Sequence, residues 1–347
     1  AIMYYKGVDK MANKLYEKIK EFMKENGKSI LVFLGLYLVL SFPLPYYVYA
    51  GGGTIDISKR INIKSSNKKA YKMYLAYVKE LKGNTATYLL SKVFRDWELE
   101  KEEDIKLNDN ETVEDVSIRD HLSLKNANQT AILLAYQKAH KKVNIKTTHP
   151  YVAYIEKKES DGVRIGDEIV KVEDNEYKDI DTLKSLIEEK EVGDRIKLVV
   201  KRSGKEKNVY ATIKNYQERK IAGISITNIY DYETNPKIEL KFKQSESGPS
   251  GGLMLTLAIY NSLVNKDITN GKKVVGTGTI SEDGSVGSIG GVKYKLNGAV
   301  RQKADVFLVP SGENYEEAIK EAKKKNYSIK IEAVSTFDEA LKKLKKI

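Results

Sequence analysis

Cysteine is absent from this 347-residue chain, which excludes disulfides, thiol nucleophiles and thiolate metal sites. Histidine is nearly absent: His121, His140 and His149 are not at ligand spacing, and no imidazole follows position 149 to act as a base. No G-x-x-x-x-G-K-[ST] phosphate loop occurs, because Gly27-Lys28-Ser29 lacks the first glycine. Asp104, Asp109, Asp115 and Asp120 do not form a calcium-loop pattern, and Asn108-Asp109-Asn110 reads as a turn. No metal and no cofactor are therefore expected. Acidic residues are the minority, 48 against 60 basic, for a net charge of +12. No zinc-finger spacing, helix-turn-helix cue or aromatic-interleaved arginine cluster accompanies that excess. It reads as a lysine-rich solvated surface with some attraction to anionic lipid or wall polymer, and no nucleic-acid partner is expected. Proline is scarce at six, and 41% of residues are hydrophobic, enough for two or three packed domains.

Charge is missing altogether between Ser29 and Ile55, and Ile30 to Phe42 is almost uniformly apolar. Extended to Ala50, the run reaches the ~20 residues of a membrane-spanning helix. Lys6, Lys10, Lys14, Lys18, Lys20, Lys24 and Lys28 crowd its N-terminal side, so that flank is expected in the cytoplasm and the remainder outside. Tyr46, Tyr47 and Tyr49 suit the outer interface. Val48-Tyr49-Ala50 also has the pattern of a signal-peptide cleavage site, so an uncleaved anchor and scission after Ala50 both stand, the anchor being favoured.

Beyond it, Gly51-Gly52-Gly53 reads as a flexible exit. Thr54–Lys64 alternates as a strand, and Tyr71–Leu81 and Ala127–Ala139 read as helices, the second capped by Asn126 or Asn128. Arg95–Asp120 is charge-dense and is expected to form surface loops and short elements. Helices are also expected over Leu253–Val264, Val292–Gln302, Tyr315–Lys325 and Thr336–Lys345, with strands over Val274–Ile280 and Ser328–Val334. That alternation makes the C-terminal domain α/β.

Ser247-Gly248-Pro249-Ser250-Gly251-Gly252 places a serine in a tight turn before an apolar helix, and Gly290-Gly291-Val292-Lys293 puts a lysine 43 residues later. Helix N-terminal N–H groups favour negative charge developing there, and a lysine can accept the proton that makes a hydroxyl nucleophilic. That function requires a neutral amine, and on a helical wheel Lys293 lies at the edge of the Val292, Leu296, Ala299, Val300 stripe, with Lys295 farther round. Pro249 has no N–H, so an oxyanion site would use Ser250 N–H with that of Gly248 or Ser247. Thr277, and after it Thr279, are candidates to orient the lysine.

Taken with ADVFLVP (Ala304 to Pro310), the segments GPSGGLM (Gly248 to Met254) and GTGTISEDGSVGSIGGVKYK (Gly276 to Lys295) resemble the Lon proteolytic domain. That resemblance implies a Ser–Lys dyad at Ser250 and Lys293. Gly251 stands where the family has alanine, and Ser245-Glu246-Ser247 departs from its usual lead-in. Tyr151–Ile213, with VRIGDEIVKVEDNEY (Val163 to Tyr177) and a Ser203-Gly204 hairpin turn, resembles a PDZ domain, although no carboxylate-binding loop is recognisable near His149-Pro150. By resemblance, a peptide, C-terminal or internal, would add as a strand along Tyr151, Val152, Ala153, Tyr154 and Ile155, opposite a helix at Asp181–Glu189.

The whole order resembles membrane-anchored, PDZ-containing Lon-like serine proteases: a basic cytoplasmic segment (1–28), an anchor (29–50), an α+β extracytoplasmic region (51–145), a mostly β PDZ domain (146–215) and an α/β Lon-like domain (216–347). It implies an ATP-independent endopeptidase acting on exported peptides or membrane-proximal proteins, with a homo-oligomer allowed. The rival is a catalytically idle, membrane-tethered PDZ adaptor.

Overall fold

The computed structural model describes residues 2–64, 71–94, 96–156, 162–243 and 245–347, without the side chains of residues 2–12, which include Lys6 and Lys10. In chain order the elements begin with α1 (Ile2–Ser41), β1 (Pro43–Asp56), β2 (Ile61–Ile63), β3 (Lys72–Asn84), α2 (Thr85–Val93) and β4 (Glu98–Lys101). There follow α3 (Val113–Lys138), β5 (Lys142–Ile155), β6 (Glu168–Val172), β7 (Asn175–Glu176), α4 (Ile180–Glu188), β8 (Arg195–Arg202) and β9 (Lys205–Thr212). Next are β10 (Lys214–Tyr216), β11 (Arg219–Ile221), β12 (Ile224–Asn235), β13 (Ile238–Leu240), α5 (Gly252–Val264) and β14 (Lys273–Gly276). The chain closes with α6 (Val292–Arg301), β15 (Val306–Pro310), α7 (Glu313–Lys325), β16 (Lys330–Val334) and α8 (Phe337–Leu344). Two compact units result, Ala1–Tyr49 with Glu80–Lys101, and Ala50–Lys79 with Glu102–Ile347.

The first unit corrects the expected spanning helix. Helix α1 carries the basic and apolar segments without a break but ends at Ser41, and the chain is a strand from Pro43. Pro43 and Pro45 supply no N–H for a helical turn, so the backbone extends. Tyr46–Tyr49 then pair antiparallel with Glu98–Lys101 instead of forming an interfacial belt on a helix. The apolar helical part, Ser29 to Ser41, spans only about 20 Å at the α-helical rise, short of the ~30 Å hydrocarbon core. Among the described residues no helix is long and apolar enough to cross a membrane.

In the second unit, one sheet runs β16–β15–β14–β3–β1. Strand β14 pairs parallel with both β3 and β15, and β15 with β16. Side chains alternate across it. Met73, Val274, Val306, Leu308 and Val334 share a core with α3, α5 and α8, whereas Ala76, Val275, Phe307 and Val309 share one with α6 and α7. Tyr71–Leu81, expected as a helix, is thus mostly strand β3. Both faces of that strand are covered, which makes its apolar residues nearly continuous and hides the period of two.

The glycine run expected to be a flexible exit lies inside β1. A Cβ on Gly52 would fall 1.4 Å from the Tyr77 carbonyl oxygen, so only glycine lets the two backbones approach. Helix α3 also begins earlier than expected. Thr112 accepts from the Asp115 N–H, and the Asp115 side chain answers the Thr112 N–H, a capping box inside the stretch read as loops. Ala131, Leu134, Ala135 and Tyr136 of α3 then pack in the core that holds α5. The 51–145 region is divided between the two units: β3 as far as Lys79 and α3 belong to the second, Glu80–Lys101 to the first.

A second sheet runs β12–β5–β6–β8–β9, with β7 paired to β6. It encloses Val152, Ile169, Leu183, Ile196, Leu198 and Ile213. Strands β8 and β9 turn through Ser203 and Gly204, both at positive φ (50° and 77°), the geometry of a tight hairpin. Asp179 caps α4 through the Thr182 N–H at 2.7 Å.

Candidate active site and peptide edge

Ser250 lies in the turn that enters α5, and hydrogen bonds fix that turn to the end of β14. The Ser250 carbonyl accepts the Gly278 N–H at 2.8 Å and the Thr277 hydroxyl at 3.1 Å. In return the Leu253 N–H donates to the Gly278 carbonyl at 3.0 Å. Gly252 is tightly enclosed: a Cβ there would lie 2.7 Å from Ile280 Cγ2 and 3.1 Å from the Ile280 nitrogen. At Gly251 a methyl would come 2.9 Å from Leu75 Cδ2, so in this chain Leu75 of β3 fills the place of an alanine side chain. Helix α5 has no side-chain cap; main-chain carbonyls take its first two N–H groups, Pro249 that of Gly252 at 3.1 Å and Gly278 that of Leu253.

Lys293 sits in the first turn of α6, after Gly291 in the left-handed conformation (φ 68°). The helix runs antiparallel to β14, because Lys273 Nζ, at the strand's start, donates to the Gln302 carbonyl at the helix's end, 2.9 Å away. Lys293 is thereby at the carboxyl end of β14, the same end to which the Ser250 turn is tied. The serine and the lysine occupy N-termini of two helices on opposite faces of one strand. Lys293 is half-buried, its Nζ 5.2 Å from the Tyr294 ring centroid.

Lys293 has the partial burial expected at the edge of the stripe, but the deeper burial falls on Lys295. Lys295 is 4% exposed, and desolvation lowers its pKa to about 8. The wheel placed it farther round the helix; the sheet turns out to cover that flank too, since Gly298 there packs against the Gly53 carbonyl.

Thr277 is fully buried, and its hydroxyl hydrogen is committed to the Ser250 main chain, so it orients the serine turn directly. Gly248, a candidate oxyanion donor, has φ 82°, and its N–H donates to the Asp120 carbonyl of α3 at 3.2 Å. In this conformation that donor is spent. Ser247 is exposed beside it.

The expected peptide site is moved by the structure. One edge of strand β5 is filled along Tyr151–Ile155, where β12 pairs with it antiparallel from Ile224↔Ile155 to Asn235↔Lys142, and β6 meets Tyr151 on the other side. The open edge belongs to β12, the terminal strand. From Asn228 onward Gln129 covers it, donating to the Asn228 carbonyl at 2.5 Å and accepting the Tyr230 N–H at 2.9 Å. Ile224–Thr227 are left. Lys220 of the preceding β11 reaches the Glu188 and Lys190 carbonyls at the end of α4, at 3.1 and 2.5 Å, and Ala222 shares a core with Leu183 and Ile187. The strand-plus-helix arrangement is therefore β12 with α4. Its signal in the sequence was the Ile224, Ser225, Ile226 alternation, which fell beyond the expected PDZ boundary.

His149 staples this sheet. Its Nδ1 lies 2.6 Å from Glu168 on β6 and its Nε2 3.0 Å from Asp231 on β12. Carboxylates only accept, so both ring nitrogens must carry hydrogen, and these bonds hold the imidazole pKa above its ordinary value.

Family models match two parts of the chain: the Lon protease (S16) C-terminal proteolytic domain over residues 243–346 and a PDZ domain over 131–213. A Lon protease from Malacoplasma penetrans (strain HF-2) is 38% identical over 100 residues, covering 28% of this chain and 12% of that protein. The chain thus spans about an eighth of the length of that curated relative. The crystal structure of the PDZ domain of an SdrC-like protein from Listeria monocytogenes is 20% identical, covering 24% of this chain and 92% of that one, with a TM-score of 0.22. A Lon-type proteolytic domain, that of a serine peptidase, and a PDZ domain are present.

Proposed function

We propose that this chain is an ATP-independent serine endopeptidase working through a Ser250–Lys293 dyad. The observation that carries the reading is the common placement of the two residues at the carboxyl end of β14, within the stretch matched by the Lon proteolytic model. Ser250 Oγ attacks the scissile carbonyl while the Lys293 amine takes its proton and passes it to the departing peptide nitrogen as the C–N bond breaks. The same amine then takes a proton from the water that attacks the acyl-enzyme and returns it to Ser250 Oγ as the ester bond breaks. Negative charge on the tetrahedral oxygen develops at the α5 N-terminus, where the Ser250 N–H and the helix dipole favour it.

Wild type and Ser250→Ala are compared on fluorescein-labelled casein, with the new termini identified by mass spectrometry. Termini that appear only with wild type are expected. Equal cleavage by both would end the dyad reading.

Substrate segments dock as an added strand on Ile224–Thr227 of β12 beside α4, in the manner of PDZ recognition. Association with a lipid surface is part of the same proposal, with the catalytic unit on the extracytoplasmic side. Leu31, Val32, Phe33 and Leu34 are all exposed, and four successive residues go right round a helix, so no single packed partner would cover them. Flotation with phosphatidylglycerol vesicles checks this: the full chain should float and a chain starting at residue 42 should not. Flotation of both would place the lipid contact elsewhere.

A further inference from the structure

The segment that leads into the serine turn is held by a residue far outside the matched proteolytic stretch. Strand β2 pairs with β13, and the pairing continues one step as the Lys241 N–H donates to the Arg60 carbonyl at 2.9 Å. From the same position the Arg60 side chain reaches forward. Nη1 donates to the Lys241 carbonyl at 3.0 Å, and Nη2 binds the Glu246 carboxylate, with both side chains largely buried at 17% and 19% exposure. Glu246 in turn accepts the Lys243 N–H through its other oxygen at 3.2 Å, while its own N–H donates to the Lys243 carbonyl at 3.0 Å. Arg60 therefore ties Lys241 to Glu246, and Glu246 stands four residues before Ser250.

We propose that Arg60 is a positioning residue for the Ser250 turn, acting through Glu246. Its planar fork ties the strand end and the loop end together, a geometry that a lysine's point charge does not reproduce. Loss of the fork frees the lead-in, and the serine hydroxyl no longer meets a bound carbonyl at reacting distance. Misplacement of that kind costs up to about 10²-fold in rate. The inference rests on the dyad reading, and the Ser–Glu–Ser lead-in, a departure from the family, is the part of this chain that it explains.

The test measures kcat and KM on fluorescein-labelled casein with the full chain, at a temperature where circular dichroism shows every variant folded. Arg60→Ala is expected to lower kcat about 10- to 10²-fold with KM changed less than about twofold. Arg60→Lys should recover part of the loss, and Glu246→Gln should resemble Arg60→Ala. The double variant Arg60→Ala/Glu246→Gln should be no worse than either single one, because one connection is broken once. Hydrogen exchange at the Lys243 and Glu246 amides should quicken in step with the loss of kcat. Unchanged kcat in Arg60→Ala, or losses that multiply in the double variant, would overturn the proposal. Ser250→Ala separates the two readings: if it retains turnover the dyad itself fails, whereas an inactive Ser250→Ala beside a fully active Arg60→Ala removes only the role of Arg60.

Discussion

Helices α5 and α6 present their N-termini at the same end of β14, yet they are built by opposite rules. Every residue from Gly252 to Ile259 is buried, so α5 is apolar around its whole circumference and is enclosed by the sheet, α3 and α8. Helix α6 is amphipathic. Val292, Leu296 and Ala299 face the core while Lys293, Asn297 and Val300 are half-exposed, and its inner flank carries a buried cation. The proposed nucleophile is thus mounted at the start of a helix buried from Gly252 to Ile259. The proposed base is mounted on a helix that keeps contact with water, through which its proton can leave and return. A serine needs a fixed position; a base needs a route for its proton as well.

The two proposed reacting groups carry the largest expected effects. Ser250→Ala is expected to lower casein cleavage by at least about 10³-fold, as removal of a catalytic nucleophile does, while leaving the unfolding midpoint nearly unchanged. Lys293→Arg should be as inactive, since a guanidinium stays protonated and cannot take the serine's hydrogen. Retained turnover in Lys293→Arg would move the base to another group, with Lys295 the first to examine.

Packing sharpens the contrast at the next level. Leu257 is wholly buried in α5 among α3 and sheet side chains. Leu257→Ala should cost about 2–5 kcal/mol in urea unfolding, the range for a fully enclosed leucine. A loss under about 1 kcal/mol would mean that the α5 surroundings collapse easily and that the serine's mount is softer than its burial suggests.

How far these features could be read in the chain follows the same division. The Ser250 and Lys293 turns were legible because chemistry fixes residue types at fixed spacing: Gly252 has no room for a side chain beside Ile280, and Gly291 needs a left-handed backbone. Helix α7 was legible from its amphipathic period, α8 from the acidic residue in its first turn and α4 from the PDZ resemblance. The scaffold was not. Strand β3 is apolar on both faces and carries no period, and the capping box at Thr112 lay in a charge-dense stretch that resembled loops. The helical run at Ser29 was cut by Pro43, whose effect depends on β4 being available for Tyr46–Tyr49 to pair with. The peptide edge was misplaced because strand order is non-local: nothing in Tyr151–Ile155 reveals that β12, some seventy residues on, fills the adjacent slot.

Lys295 tests the inner flank of α6 through linkage. Its pKa is about 8 in the folded protein against 10.5 for the ordinary side chain, and burial is the cause. Below pH 8 the ammonium is held in both states and the folded state bears the whole desolvation cost, at most about 3 kcal/mol by the linkage of pKa to free energy. Between pH 8 and 10.5 the unfolded chain binds the proton and the folded one has released it, so stability should rise with pH across that window. Lys295→Met, similar in length and without charge, should therefore be more stable than wild type at pH 7, by an amount that shrinks toward pH 10.5 as the wild type loses its penalty. Urea midpoints of the two proteins at pH 7, 8.5 and 10 measure both the gain and its decay. A gain that does not decline with pH would come from methionine's packing alone. No gain at all, with a flat wild-type profile, would show that the amine reaches solvent and that α6 is looser on its inner flank than α5 is on any side.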